Sequence, residues 1–194
     1  MRESITFSKV SYEQFLEDCV RDGFTDVDMI KEAYEKIKLP ERATIGSAGH
    51  DFFAPFDIVM QRDEKKAFPT GIRVKMPENI VMLLVPRSGL GFKYGFQLAN
   101  TMGVIDSDYF QAENEGHIHC AAHYCYSAGT DWNEEVEDSY FYAEEKPLVI
   151  KQGQAYMQGI FVEYCIDDYD FTYKERKGGL GSFRKHRTEK QQNW

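Results

Sequence analysis

Apolar residues recur at helical spacing over the first forty positions, then switch to short runs separated by Gly, Pro, Asn and Asp. Ser11 followed by Gln14 resembles a capping box, and Phe15, Cys19 and Val20 fall on one helical face. A second helix is predicted to start after Thr25 and run through Val27, Ile30, Ala33, Tyr34 and Ile37, with Pro40 ending it. Beyond residue 40 the pattern predicts strands at Asp51–Ile58, Gly71–Met76, Val81–Val85, Gly116–Tyr126, Pro147–Ile150 and Tyr156–Ile166. Turn residues between them favour an antiparallel sandwich or barrel over a βαβ fold. The runs IVMLLVP and MQGIFVEYCI are apolar on both faces. Such strands lie between two sheets, or between a sheet and another subunit.

The organisation expected is a helical N-terminal extension over 1–40 and an all-β domain over 41–168. The domain carries an acidic, aromatic insertion at 127–146, and a flexible basic arm follows over 169–194. With 194 residues, 42% hydrophobic and 14% aromatic, one domain with a sizeable core is the natural outcome. The N-terminus lacks the apolar run of a signal peptide, and no window reaches the length and apolarity of a membrane span. Four cysteines (Cys19, Cys120, Cys125, Cys165) form no CxxC pair and read as reduced, buried thiols of a cytoplasmic protein.

Charge narrows the function. A net charge of −9 argues against wrapping a nucleic-acid backbone. From Lys174 to Lys190, however, the tail carries seven basic residues against only Glu175 and Glu189. That arm suits a small polyanion such as a triphosphate. A solvated tail without a ligand fits the charge alone equally well.

Five short segments then occur in order: SAGHDFFAP with Asp51, PRSGLGFKYG with Arg87, Ser88 and Gly89, GVIDSDYF with Asp106, Asp108 and Tyr109, GQAYMQGIF with Gln158, and RKGGLGS with Arg176, Gly178, Gly179, Gly181 and Ser182. Taken singly, Asp51 and Asp106 also fit turn residues, and Tyr109 fits a core tyrosine. Taken together, the five resemble the motifs of the trimeric dUTPase family, over roughly residues 40 to 183. PRSGL and GVIDSDY are the most specific of them.

The resemblance implies a jelly-roll β-barrel assembled as a homotrimer, with each site built from three chains and Mg²⁺ as cofactor. It implies that Asp106 orients and deprotonates the attacking water, while Arg87, Ser88, Gly89 and Gln158 hold phosphates. Asp51 would hold a water of the magnesium ion chelated by the triphosphate. Asn100, with backbone groups of Gly103, Val104 and Ile105, would read the uracil edge, and Tyr109 would lie beneath the deoxyribose. Arg176, Gly179, Gly181 and Ser182 would close over the outer phosphates.

This chain departs from the family pattern where Ala155 replaces an arginine and Leu180 replaces an aromatic that stacks on the base. Losing such a stack costs about 1–3 kcal/mol by analogy with single-strand binding. Phe183 follows in place of the usual Ser-Thr-Gly pattern and offers a shifted ring. These departures keep three rivals open: a pyrophosphatase for another deoxynucleoside triphosphate, a dCTP deaminase of the same fold, and a non-catalytic nucleotide-binding regulator. His117, His119, His123 and Cys125 alternate along a strand-like segment. They read either as zinc ligands on one face or, the commoner outcome, as residues filling a half-buried surface.

Overall fold

The computed structural model describes residues 4–125, 147–170 and 172. The acidic insertion 127–146 therefore lies outside the described residues, as does the basic arm apart from 169, 170 and 172.

Helix α1 (Tyr12–Arg21) begins where the sequence signals it, with Ser11 Oγ accepting from the Gln14 amide at 3.2 Å. The capping box is only half formed. The Gln14 side chain donates to Asp18 Oδ2 at 2.9 Å, and the Ser11 amide is satisfied instead by Glu115 Oε2 at 2.9 Å, 104 residues away. Helix α2 (Val27–Lys36) is capped by Asp26, which accepts from the Met29 amide at 2.9 Å. The buried face of α1 is Phe15, Asp18 and Cys19, whereas Val20 is 53% exposed. Asp18 is inside because a partner awaits it there.

The first forty residues also hold a strand that their pattern does not announce. β1 (Thr6–Lys9) pairs antiparallel with β5 (Ile72–Lys75), placing Ser8 opposite Arg73. Phe15, Ile30 and Ala33 share one hydrophobic core with Phe52, Met82, Ile105 and Tyr156. The helices are thus packed into the β structure.

The expected strand over Asp51–Ile58 is two strands, β2 (His50–Phe53) and β3 (Ile58–Met60). Pro55, which has no N–H for a ladder, sits at the break. β3 pairs with β10 (Leu148–Ile150). β4 (Lys65–Pro69), β9 (His119–Tyr124) and β7 (Phe96–Leu98) form a second sheet, in that order. β9 starts three residues later than expected. Gly116 takes φ +70°, and a Cβ there would stand 2.5 Å from the Tyr109 carbonyl oxygen, so the chain turns before it can extend.

The sheet that organises the site has the order β2, β11 (Ala155–Glu163), β6 (Ile80–Pro86), β8 (Gly103–Ile105), with every pairing antiparallel. Helix α3 (Ser88–Tyr94) follows β6 directly and ends at Gly95, left-handed at φ +66°. Cys19 and Cys120 are buried, and burial pushes the Cys19 thiol up to about 12. Cys125 is half-buried and Cys165 exposed, which corrects the expectation of four buried thiols. Among the described residues, no helix is long and apolar enough to cross a membrane.

Candidate active site

Three of the sequence segments converge at one end of the four-stranded sheet. Gln158 on the central strand β11 lies opposite Asp51 on one side and Val85 on the other. Arg87, just past β6, donates its amide to the Tyr156 carbonyl at 3.0 Å, and its Nη1 lies 3.4 Å from Asp51 Oδ2. Asp51 is nearly buried while the arginine is 41% exposed, so the pair faces outward from a fixed carboxylate. Ser88 and Gly89 are exposed on the first turn of α3. A cavity of about 410 Å³ opens there, lined by Pro86, Arg87, Ser88, Phe92, Phe96 and Gln97.

Sequence reasoning missed Gly49. A Cβ at this position would stand 2.2 Å from Gln158 Oε1, so the glycine is what leaves room for the Gln158 carboxamide. The AGxD element carried that signal. The obstacle is the tip of a flexible side chain, so Gly49→Ala is expected to fold while displacing Gln158. The expected result is a shifted Gln158 side-chain amide NMR resonance, with a thermal midpoint close to the parent's. An unmoved resonance would show that Gln158 does not depend on Gly49.

The third segment lies at the opposite end. β8 pairs with β6 so that Gly103 faces Leu84 and Ile105 faces Met82. Asp106 therefore emerges beside Val81, six residues along β6 from Arg87, a separation of about 20 Å at the usual rise per strand residue. Asp106 is exposed and precedes a 3-10 turn, Ser107–Gln111, without capping it through its side chain. The turn-cap reading of this carboxylate is thereby set aside. β8 is the outer strand of its sheet, with Val104 half exposed and Ile105 buried. Asn100 is exposed in the turn before it, where Thr101 takes φ +68°.

Tyr109, expected beneath the deoxyribose, packs inward in the single chain. It is 2% exposed, its hydroxyl donates to the His117 carbonyl at 2.8 Å, and the Asn114 side-chain amide donates to that hydroxyl at 2.9 Å. In the single chain its ring is core and offers no open face to a sugar.

The histidines do not form a shared metal site. His119 and His123 stand at the two ends of one strand, four residues apart, too far to share an ion. His123 Nδ1 lies 2.9 Å from Cys125 Sγ. Among the described residues, only Asp18, His117 and His119 bring three donor atoms together, and their nitrogens are already engaged. His117 Nε2 accepts from the Gly71 amide at 2.8 Å, which makes Nδ1 the donor to Asp18 Oδ2 at 2.6 Å. His119 Nε2 lies 2.8 Å from the Arg21 guanidinium, a permanent donor, and its Nδ1 lies 3.1 Å from the His117 carbonyl. A cation would have to displace a backbone amide and face an arginine. Burial, with the neighbouring His117 and the Arg21 charge, lowers the His119 pKa to about 3. Asp18 is held at about 2, because its bond to His117 and the neighbouring imidazoles and Gln14 outweigh the upward push of burial.

Asp51 belongs to no such group and offers one carboxylate, already facing Arg87. That does not make a magnesium cage. It fits an ion that arrives bound to phosphate oxygens, keeps its waters, and meets Asp51 through one of them. Arg176, Gly178, Gly179, Gly181 and Ser182, with Leu180 and Phe183, lie outside the described residues.

Comparison with known proteins bears on this arrangement. A family model described as dUTPase matches residues 35–125. A deoxyuridine 5'-triphosphate nucleotidohydrolase of Lactococcus lactis subsp. lactis is 33% identical over 163 residues, covering 82% of this chain and 95% of the relative. One of the same name from Tolumonas auensis is 31% identical over 157 residues, covering 76% and 88%. Among solved structures, a dUTPase from Streptococcus mutans superposes with a TM-score of 0.57 at 24% identity, covering 84% of this chain and 98% of that one. A Staphylococcus bacteriophage 80alpha dUTPase solved with dUPNHPP gives 0.57 at 19% identity, covering 88% and 89%. The structural likenesses establish the fold, and the Lactococcus alignment spans nearly the whole relative: this chain belongs to the dUTPase family.

Proposed function

We propose that the protein is a dUTP pyrophosphatase that hydrolyses dUTP to dUMP and pyrophosphate in a site completed between copies of the chain. One observation carries the shared site: the phosphate-binding candidates Arg87, Ser88 and Gln158 and the candidate base Asp106 stand at opposite ends of one sheet. A triphosphate cannot bridge about 20 Å and place its α-phosphorus beside a water held by Asp106. Two copies packed so that one chain's β8 end meets another's Arg87 end bring them together, as a head-to-tail ring such as the expected homotrimer would. The four small sheets formed by the described residues, around one core, support the jelly-roll reading.

In the assembled site Asp106 takes the proton of the attacking water, and the new P–O bond forms as the α–β bridging bond breaks, releasing pyrophosphate. Arg87 and the Ser88 hydroxyl neutralise and orient the phosphates. Asp51 aligns Arg87 and would hold, through water, a magnesium ion arriving with the triphosphate, which would supply charge neutralisation. The outer edge of β8, with Asn100, suits the donor–acceptor pattern of uracil. The arm bearing Arg176, Gly179, Gly181 and Ser182 is proposed to close over the outer phosphates. The 80alpha relative was solved with a nucleotide analogue, which supports this substrate class.

Mixing inactive variants tests the shared site. Arg87→Met and Asp106→Asn proteins are each expected to be nearly inactive. Co-refolded at equal amounts, they should regain about a quarter of parental activity, because random assembly of a symmetric ring leaves that share of sites intact in both halves. No recovery would mean that each site is built within one chain. A substrate panel of dUTP, dCTP, dTTP and UTP, scored for pyrophosphate and for ammonia, separates the rivals. The expectation is pyrophosphate from dUTP alone. Ammonia from dCTP would indicate the deaminase, and binding without turnover the regulator.

A further inference from the structure

The turn carrying Asp106 is fixed from outside itself. A 3-10 turn has poor internal hydrogen-bond geometry, and the Asp106 side chain does not cap this one. Buried Tyr109 anchors the middle of the turn through its hydroxyl on the His117 carbonyl, and Arg73 on β5 fixes the far end at Phe110. Its Nη2 donates to the Phe110 carbonyl at 2.7 Å, and its guanidinium stacks 3.7 Å from the centroid of the Phe110 ring. Its Nη1 lies 3.7 Å from Glu115 Oε2. Glu115 in turn accepts from the Ser11 amide at 2.9 Å and the Ser11 hydroxyl at 2.5 Å, at the start of α1. Arg73 is only 21% exposed, and its own strand is braced by β1.

We propose that Arg73 is a positioning residue for hydrolysis. With Glu115, it clamps the Ser107–Gln111 turn between strand β5 and the first helix and so sets where Asp106 presents its carboxylate. This rests on the reading of Asp106 as the base. Nothing in the catalytic chemistry requires an arginine on β5. What requires it is a turn that must be held to within a fraction of an ångström against a moving triphosphate.

The test compares full-length Arg73→Met, Arg73→Lys and Glu115→Gln with the parent and Asp106→Asn, measuring kcat and KM for dUTP with magnesium, and thermal midpoints. Arg73→Met keeps the aliphatic stem and removes the fork. Its kcat is expected to fall about 10- to 100-fold with KM within about threefold, the signature of a displaced catalytic group. Arg73→Lys keeps the charge and can reach the Phe110 carbonyl but cannot stack as a plane, so it should recover part of the loss. Glu115→Gln is the milder variant should Arg73→Met fail to fold, with kcat expected about three- to tenfold down. Soluble Arg73→Met or Glu115→Gln with parental kcat, whatever their thermal midpoints, would overturn the proposal and leave the clamp merely structural. Parental activity in Asp106→Asn would instead overturn the reading beneath it.

Discussion

Replacing Asp106 with Asn is expected to leave a folded protein that binds dUTP with a KM within about threefold of the parent and turns it over about 10³-fold more slowly. Asparagine keeps the shape and can still accept a hydrogen bond from water. It cannot take the proton, and general-base catalysis is the contribution removed. The side chain is exposed, does not cap the 3-10 turn, and is replaced by one of the same shape, so the fold is expected to be kept. Steady-state kinetics with pyrophosphate detection checks it. A kcat within tenfold of the parent would assign the base elsewhere and sink the proposed chemistry.

The second large effect concerns stability. Asp18 is fully buried and accepts from His117, from Gln14 and from Arg21. Asp18→Ala would leave the buried His117 Nδ1–H without an acceptor and remove the partner of Gln14 and of the half-exposed Arg21. Leaving such a buried donor unpaired costs about 1–3 kcal/mol. For a chain of this size that lowers the thermal midpoint by about 2–12 °C, read at fixed protein concentration. Glu32→Ala, which breaks the exposed Lys36 pair on α2, should change stability by less than about 1 kcal/mol. An Asp18→Ala protein that melts with the parent would refute the buried network.

The same cluster sets an acid response whose sign can be worked out. His119 ordinarily titrates at 6.5 but is held at about 3 in the folded chain. Between those values the unfolded state binds a proton that the folded state refuses, so stability falls as pH drops from 6.5 towards 3. Asp18, depressed from 3.8 to about 2, adds a further loss across that lower window. His119→Gln keeps an acceptor for Arg21 and cannot be protonated. Its thermal midpoint should drop less than the parent's between pH 7 and pH 4, and an equal drop would exclude His119 as the source.

Much of this was legible in the chain because the chemistry sits in short, dense segments. The segments bearing Asp51, Arg87 and Gln158 come together on neighbouring strands, and the apolar runs around Met82 and Met157 became the central strands. Other features stayed hidden for definite physical reasons. β1 is four residues long with one large apolar side chain, too short for a period to show. Helix α3 holds two glycines in seven residues and has no apolar stripe, so only its left-handed Gly95 stop hints at it. The burial of Asp18 leaves no local signal in α1, because it depends on His117, 99 positions away. Tyr109 sits in a motif yet packs inward, since its hydroxyl is claimed by the loop that Gly116 folds back on it.

The distance along β6 between Arg87 and Asp106 has a thermodynamic corollary. If a nucleotide must touch two chains at once, it acts as a mortar between them, and linkage requires that whatever tightens the nucleotide also tightens the ring. Diluted enzyme should lose specific activity when empty and keep it when saturated. Cells short of the nucleotide would then hold a looser assembly than cells flooded with it.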